Sequence, residues 1–215
     1  MKKIILLLIG LGLIVLTAVA EESRVFALAT TGDVEPELTA RILDYLESQS
    51  GAILRPTNSV QLQPGQSIEE IGRAVAQTLA ADEIGVLVLG YFGVDQPQGV
   101  CLPHEHFGIL NLSRLGDGVA EDRLIRRAGQ DGLRVMAMLL GLSPCPFPLC
   151  VLTGFEQTED LDRMSGNFCP PCLDRFTRRA HEANLQMKPI VQEEPTELPV
   201  ADESAADDEV PAPVE

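Results

Sequence analysis

The clearest chemistry in this 215-residue chain lies in its cysteines. Four of the five fall into two close pairs. Cys145 and Cys150 have four residues between them, Cys169 and Cys172 have two, and eighteen residues separate the pairs. Two such turns can present four thiolates tetrahedrally, as a structural zinc site requires. Prolines at 144, 146, 148, 170 and 171 stiffen both turns, so less entropy is lost when a metal closes the site. Two other readings stay open: disulfides, which an oxidising compartment favours, and reduced free thiols. A bridge across Cys169-Pro-Pro-Cys172 would be tight and reactive. Cys101 stands alone and reads as an isolated thiol.

The histidines are weaker candidates. His104 and His106 flank Glu105, but on a strand they would share one face with Glu105 opposite, and no third ligand is identifiable. A solvated loop or strand-entry segment is the plainer reading. His181-Glu182 begins like an HExxH motif, yet its fifth residue is Leu185, so it reads as the exposed side of a helix. Arg178 and Arg179 read as a solvated basic face. No serine–histidine–aspartate spacing or glycine-rich phosphate loop is present.

The elements that must position these residues follow from periodicity. Residues 24–29 and 84–92 are short apolar runs and predict strands, the second fully buried. Leu38, Ile42 and Leu46 recur every four residues before Gly51 and predict a helix. Residues 52–56 and 59–63 read as strand material around a loop. Ser67 followed by Glu70 is a capping box opening the next helix. A strand is expected at 107–115 after a loop at 93–106, a long helix from Val119 to about Leu142, and a last helix over 172–186. Strands alternating with helices predict an α/β fold with a mixed sheet and packed helices.

Both ends differ in composition. Residues 1–20 combine two lysines, an apolar run and Ala18-Val19-Ala20, the layout of a cleaved signal peptide. An uncleaved anchor is the alternative, since the run approaches the ~20 residues that span a bilayer, and only then would a membrane be a partner. Either way residues 21–188 are expected to be an exported domain. Residues 189–215 hold nine acidic residues, more than half of the formal net charge of −16, with no Lys, Arg or aromatic, and read as a disordered acidic tail. No basic cluster suggests nucleic acid.

Residues 120–175 carry a resemblance. "LLGLSPCPFPLCVL" followed by "DLDRMSGNFCPPC" resembles the archaemetzincins, metzincin-type zinc peptidases whose pattern runs HExxHxxGxxHCxxxxCxM, then CxxC after a loop. The resemblance implies a metzincin-like (zincin) sandwich with a C-terminal four-cysteine zinc subsite, and metal ligands Cys145, Cys150, Cys169 and Cys172. Gly141 matches the family's turn glycine, while the final loop is about one residue shorter. At the positions of the first histidine, the glutamate base, the second histidine and the third histidine stand Arg134, Val135, Met138 and Pro144; Leu152 stands at the Met-turn methionine. A guanidinium repels Zn²⁺, valine has no donor, proline's nitrogen is tied up in an amide, and thioether sulfur suits softer metals. Without the glutamate, no group on the helix is expected to take a proton from metal-bound water.

The expectation is therefore one structural zinc, no catalytic residues, and an inactive peptidase homologue that binds a peptide or protein in the remnant cleft. Leu133, Met136, Met138, Leu139, Leu140 and Leu142 are expected to pack the core, with Arg134 solvated or paired with a carboxylate. Two alternatives stand beside this one. An active metallopeptidase would have rebuilt a metal site from His104 and His106, which the resemblance puts near the cleft. A structural domain would be stapled by disulfides.

Overall fold

A computed structural model describes residues 23–190 apart from residue 32. The expected signal or anchor segment at 1–20, and all of the acidic tail beyond 190, lie outside the described residues. Five strands form one sheet: β1 (Val25–Thr30), β2 (Leu54–Pro56), β3 (Glu83–Gly90), β4 (Gly99–Leu102) and β5 (Phe107–Asn111), in the order β2-β1-β3-β5-β4. All neighbours run parallel except β4, which lies antiparallel to β5 at the edge.

The strands are apolar on both sides because both faces are covered. Phe26, Leu28, Leu87, Leu89 and Leu110 face α1 (Pro36–Ser50) and α4 (Glu121–Leu139), joined by Phe176 and Ala180 of α5 (Pro170–Glu182). Ala27, Ala29, Val86, Val88, Phe107 and Ile109 meet Ile68, Ile71 and Val75 of the shorter α2 (Ile68–Ala76). Double coverage is what turns strand patterning into near-continuous hydrophobic runs. The expected capping box is formed: the Ser67 hydroxyl accepts from the Glu70 amide at 3.2 Å, and the Glu70 carboxylate accepts from the Ser67 amide at 2.9 Å.

Three local expectations are corrected. The 93–106 segment contains β4, whose half-buried side chains give little periodic signal. Residues 59–63 hold only an isolated bridge at Val60 to Thr31. The 107–115 strand stops at Asn111, which caps the one-turn α3 (Leu112–Leu115) by accepting the Ser113 amide at 3.2 Å. The buried Asn111 side chain also accepts from the Phe92 amide and donates to the Gly93 and Pro97 carbonyls, tying down the chain that enters β4.

Beyond α4, a long irregular segment is lashed back to the helices. Arg127, almost fully buried, donates to both Asp162 carboxylate oxygens at 3.0 and 2.7 Å. The Gln130 amide reaches the Met164 carbonyl, and the Tyr45 hydroxyl the Gly166 carbonyl. These bonds fix the spacing between the two cysteine pairs.

Candidate metal centre

The four paired cysteines converge. Their sulfurs all lie within 4.8 Å of one another, and Cys145 Sγ stands 3.9 Å from Cys169 Sγ. Four sulfurs at ~2.3 Å from a tetrahedral zinc would be about 3.8 Å apart. None of the five cysteines is in a disulfide. This is the only set of three or more such ligands among the described residues able to hold a metal ion.

Local structure explains the convergence. Helix α4 ends in a Schellman motif: Gly141 takes φ +79°, its amide bonds Met138 O at 2.9 Å, and the Leu142 amide bonds Ala137 O at 2.9 Å. Glycine adopts that left-handed conformation without a Cβ penalty, and the chain turns off the helix toward Cys145. Cys150 closes a turn on the Phe147 carbonyl at 3.1 Å. Cys169 is the N-cap of α5, with Pro170 and Pro171 in its first turn, so Cys169 and Cys172 sit at the positive end of that helix.

The sulfurs are also met by donors. The Phe147 amide points at Cys145 Sγ and the Cys169 amide at Cys150 Sγ, each at 3.4 Å, and Arg175 Nη2 lies 2.9 Å from Cys172 Sγ. Burial pushes the Cys172 thiol up to about 12 and raises that of Cys150. At Cys169 burial also raises the thiol, but the Cys172 amide and neighbouring thiols outweigh it, and the net shift is downward. Burial thus favours the thiol form at Cys150 and Cys172; a bound cation would supply the charge that stabilises the thiolates, with Arg175 and the helix terminus adding to it.

A second region lies on α4 itself. Asp131, Arg134, Val135 and Met138 share one helix face and line a cleft of about 260 Å³ with Gln98, Gly99, Val100 and Cys101 of the β4 region, Ile109 of β5, and Phe155 and Glu156. The sequence expectation that Arg134 is solvated or paired with a carboxylate is corrected: it is half-buried and forms no salt bridge among the described residues. It donates to the Thr153 carbonyl and stacks over the Phe155 ring, 4.9 Å from its centroid. Val135 is buried against β5; any side chain at Gly108 would strike it, with a Cβ only 2.2 Å from Val135 Cγ1. Burial raises the Asp131 carboxyl to about 6, partly offset by Gln98 and Arg134, and raises the Cys101 thiol to about 11.

No family model matches the chain, and no curated protein matches it by sequence. Solved structures do match. An archaemetzincin from Methanopyrus kandleri superposes with a TM-score of 0.61 at 18% identity, covering 76% of this chain and 99% of that one. A zinc-dependent peptidase from Methanocorpusculum labreanum gives 0.56 at 18% identity over 70% and 99%, and an archaemetzincin from Archaeoglobus fulgidus, complexed with malonate, 0.54 at 15% over 71% and 99%. The fold is that of the archaemetzincins.

Within this archaemetzincin fold, Arg134, Val135 and Met138 come together in the cleft, whereas Pro144 is exposed and does not line it. Met138 is a half-buried wall of the cleft rather than core packing, while Leu133, Met136 and Leu142 are buried as expected. Leu152 is buried beside the cysteines. His104 and His106 do not reach the cleft: Pro103–Glu105 forms a 3₁₀ turn of the β4–β5 hairpin, with His104 exposed and His106 in the left-handed region at φ 61°. Glu105 is drawn to Arg73 of α2, at 2.6 Å. His181 is exposed on α5, and Arg178 and Arg179 pair with Asp174 and Glu182. Sequence reasoning missed Asp131, the one carboxyl on the cleft face of α4. The signal was available, since 131, 134, 135 and 138 have the i, i+3, i+4, i+7 spacing of one helix face.

Proposed function

We propose that this chain is an exported, archaemetzincin-like protein that holds one structural Zn²⁺ on Cys145, Cys150, Cys169 and Cys172 and binds a peptide or protein in the cleft beside α4 without cleaving it. The observation that carries this reading is the chemistry of that helix face. A guanidinium already engaged by a carbonyl, a buried valine and a thioether supply neither a Zn²⁺ ligand set nor a base for metal-activated water. Asp131 is a carboxyl in the cleft, but it joins no group of metal ligands among the described residues, so it has no activated water to act upon.

The four sulfurs support zinc through their number, spacing and softness: a closed tetrahedral thiolate set suits Zn²⁺ and leaves no open position for catalysis. Their N–H···S partners would orient the ligands as outer-shell groups do in structural sites. Export rests on the composition of residues 1–20, and peptide binding on the cleft at the edge strand.

The test is a peptide library incubated with the zinc-loaded chain. Retention of peptides with no new termini by mass spectrometry is the expected result. Cleavage that requires added metal would overturn the inactive reading.

A further inference from the structure

The cleft contains a buried charge that its own protein barely satisfies. Asp131 is 7% exposed, and its side chain has one hydrogen-bond partner, Gln98 Nε2, at 3.4 Å. Gln98 is itself held in place, because its Oε1 accepts from the Thr158 hydroxyl at 2.7 Å. No lysine, arginine or histidine forms an ion pair with Asp131 among the described residues. Arg134, one turn along α4, spends its guanidinium on the Thr153 carbonyl and the Phe155 ring. A buried carboxylate with a single long hydrogen bond costs stability unless another partner arrives.

The remaining walls narrow the choice of partner. The apolar side chains are Val135 and Met138 with the Phe155 ring. Strands β4 and β5 contribute backbone at Val100 and Ile109, whose side chains pack on the α2 face, and Glu156 adds a second acid at the exposed mouth. Asp131 and Glu156 against Arg134 leave the cleft one negative charge in excess. At about 260 Å³ it falls below the usual range for small-molecule sites, so it suits the end of a ligand better than a chain passing through.

We propose that this cleft is a receptor for a primary ammonium group, seated on the Asp131 carboxylate, with the free N-terminus of a peptide as the source that fits the function proposed above. The inference rests on that peptide-binding reading and sharpens it. An ammonium brings three donors to a carboxylate with vacant acceptor sites, while its first side chain meets Met138 and Val135.

The pH dependence has a definite sign. Asp131 must be ionised to hold the ammonium, and burial places its titration at about 6. The groups facing it are Cys101 from β4, whose thiol stays protonated at neutral pH, Arg134 on its own helix, always charged, the neutral Gln98, and Glu156 at the mouth. Binding of a peptide's N-terminus is therefore strongest between about pH 7 and 8, and falls as pH drops through 6 with Asp131. It falls again at higher pH as the α-amine loses its own proton near about 8.

Calorimetric titration of the full zinc-loaded chain with trialanine, N-acetyl-trialanine and butylamine tests the proposal. At about pH 7.5 trialanine should bind at least about tenfold tighter than its acetylated form, the worth of a charge-assisted hydrogen bond. That preference should vanish in Asp131→Asn, and in the unmodified chain at about pH 5. Butylamine matching trialanine would support ammonium recognition but point to small amines as the source. Equal binding of free and acetylated trialanine, or a preference that survives in Asp131→Asn, would overturn the inference and leave peptide binding standing. No binding of any of the three probes would overturn both.

Discussion

Two regions joined by a single glycine turn offer a metal very different sets of donors. After Gly141, four sulfurs converge within 4.8 Å, three of them receiving N–H bonds and two standing at a helix N-terminus. Before Gly141, the cleft face of α4 carries Asp131, Arg134, Val135 and Met138: one carboxyl, one cation and an apolar wall, with no second metal donor beside them. The comparison teaches that the cysteine cluster is assembled from residues that are independent of the cleft face of α4. Its ligands come from the loop after α4 and from the start of α5, and the segment between them is held by Arg127–Asp162, Gln130 and Tyr45, none of which belongs to the cleft.

The largest effect expected from breaking this contrast is at the cysteines. Cys172→Ala, or treatment with a strong chelator, should release the metal and unfold residues 143–173, because structural zinc binding contributes on the order of 10 kcal/mol. Loss of metal by elemental analysis together with a melting temperature lowered by tens of degrees is the expected outcome; an unchanged melting curve would show that the sulfurs are ornamental.

Restoring a carboxylate to the other region should cost less. Val135→Glu places a charge where Val135 packs against β5 at Gly108, and a destabilisation of about 2–4 kcal/mol is expected in urea unfolding. A variant as stable as the parent would mean that the cleft wall is looser than its packing implies.

Asp131→Asn should have the opposite sign. The folded carboxyl titrates near 6, above its ordinary value of 3.8, so ionisation opposes folding: the penalty is complete above about pH 7 and is relieved as pH falls through 6 toward 4. The variant should thus be more stable than the parent at neutral pH, on the order of 2–3 kcal/mol, and similar to it near pH 4. Thermal melts across this range check it, and a destabilised variant at neutral pH would contradict the placement of Asp131. Asp162 behaves inversely. The Arg127 guanidinium holds its carboxyl below the ordinary range, so its contribution is present above about pH 4 and fades only in stronger acid.

The smallest effect is expected at the hairpin turn. His104→Ala and His106→Ala should leave the metal content unchanged, since both side chains are exposed and neither joins a ligand cluster among the described residues. Loss of a metal in either variant would revive a histidine-based centre.

Much of the positioning was legible in the sequence. The Ser67–Glu70 pair, the glycine at 141 and the apolar run of β3 each dictate their structure locally, through a cap, a left-handed turn and burial on both faces. What was illegible depends on partners distant in the chain. Nothing near Arg134 announces Thr153 or Phe155, and Asp131 acquires its significance only because Gln98 and Thr158 meet it from other segments. Strand β4 was hidden for a different reason: at a sheet edge, Val100, Cys101 and Leu102 are all half-buried, so no alternation marks them.

Metal stoichiometry of the purified chain tests most directly whether one ion sits among the cysteines and none beside α4. Elemental analysis combined with non-reducing intact mass should give one zinc per chain and a mass carrying no bridged cysteines. Two zinc ions per chain, or none together with a mass about four hydrogens short, would contradict that arrangement.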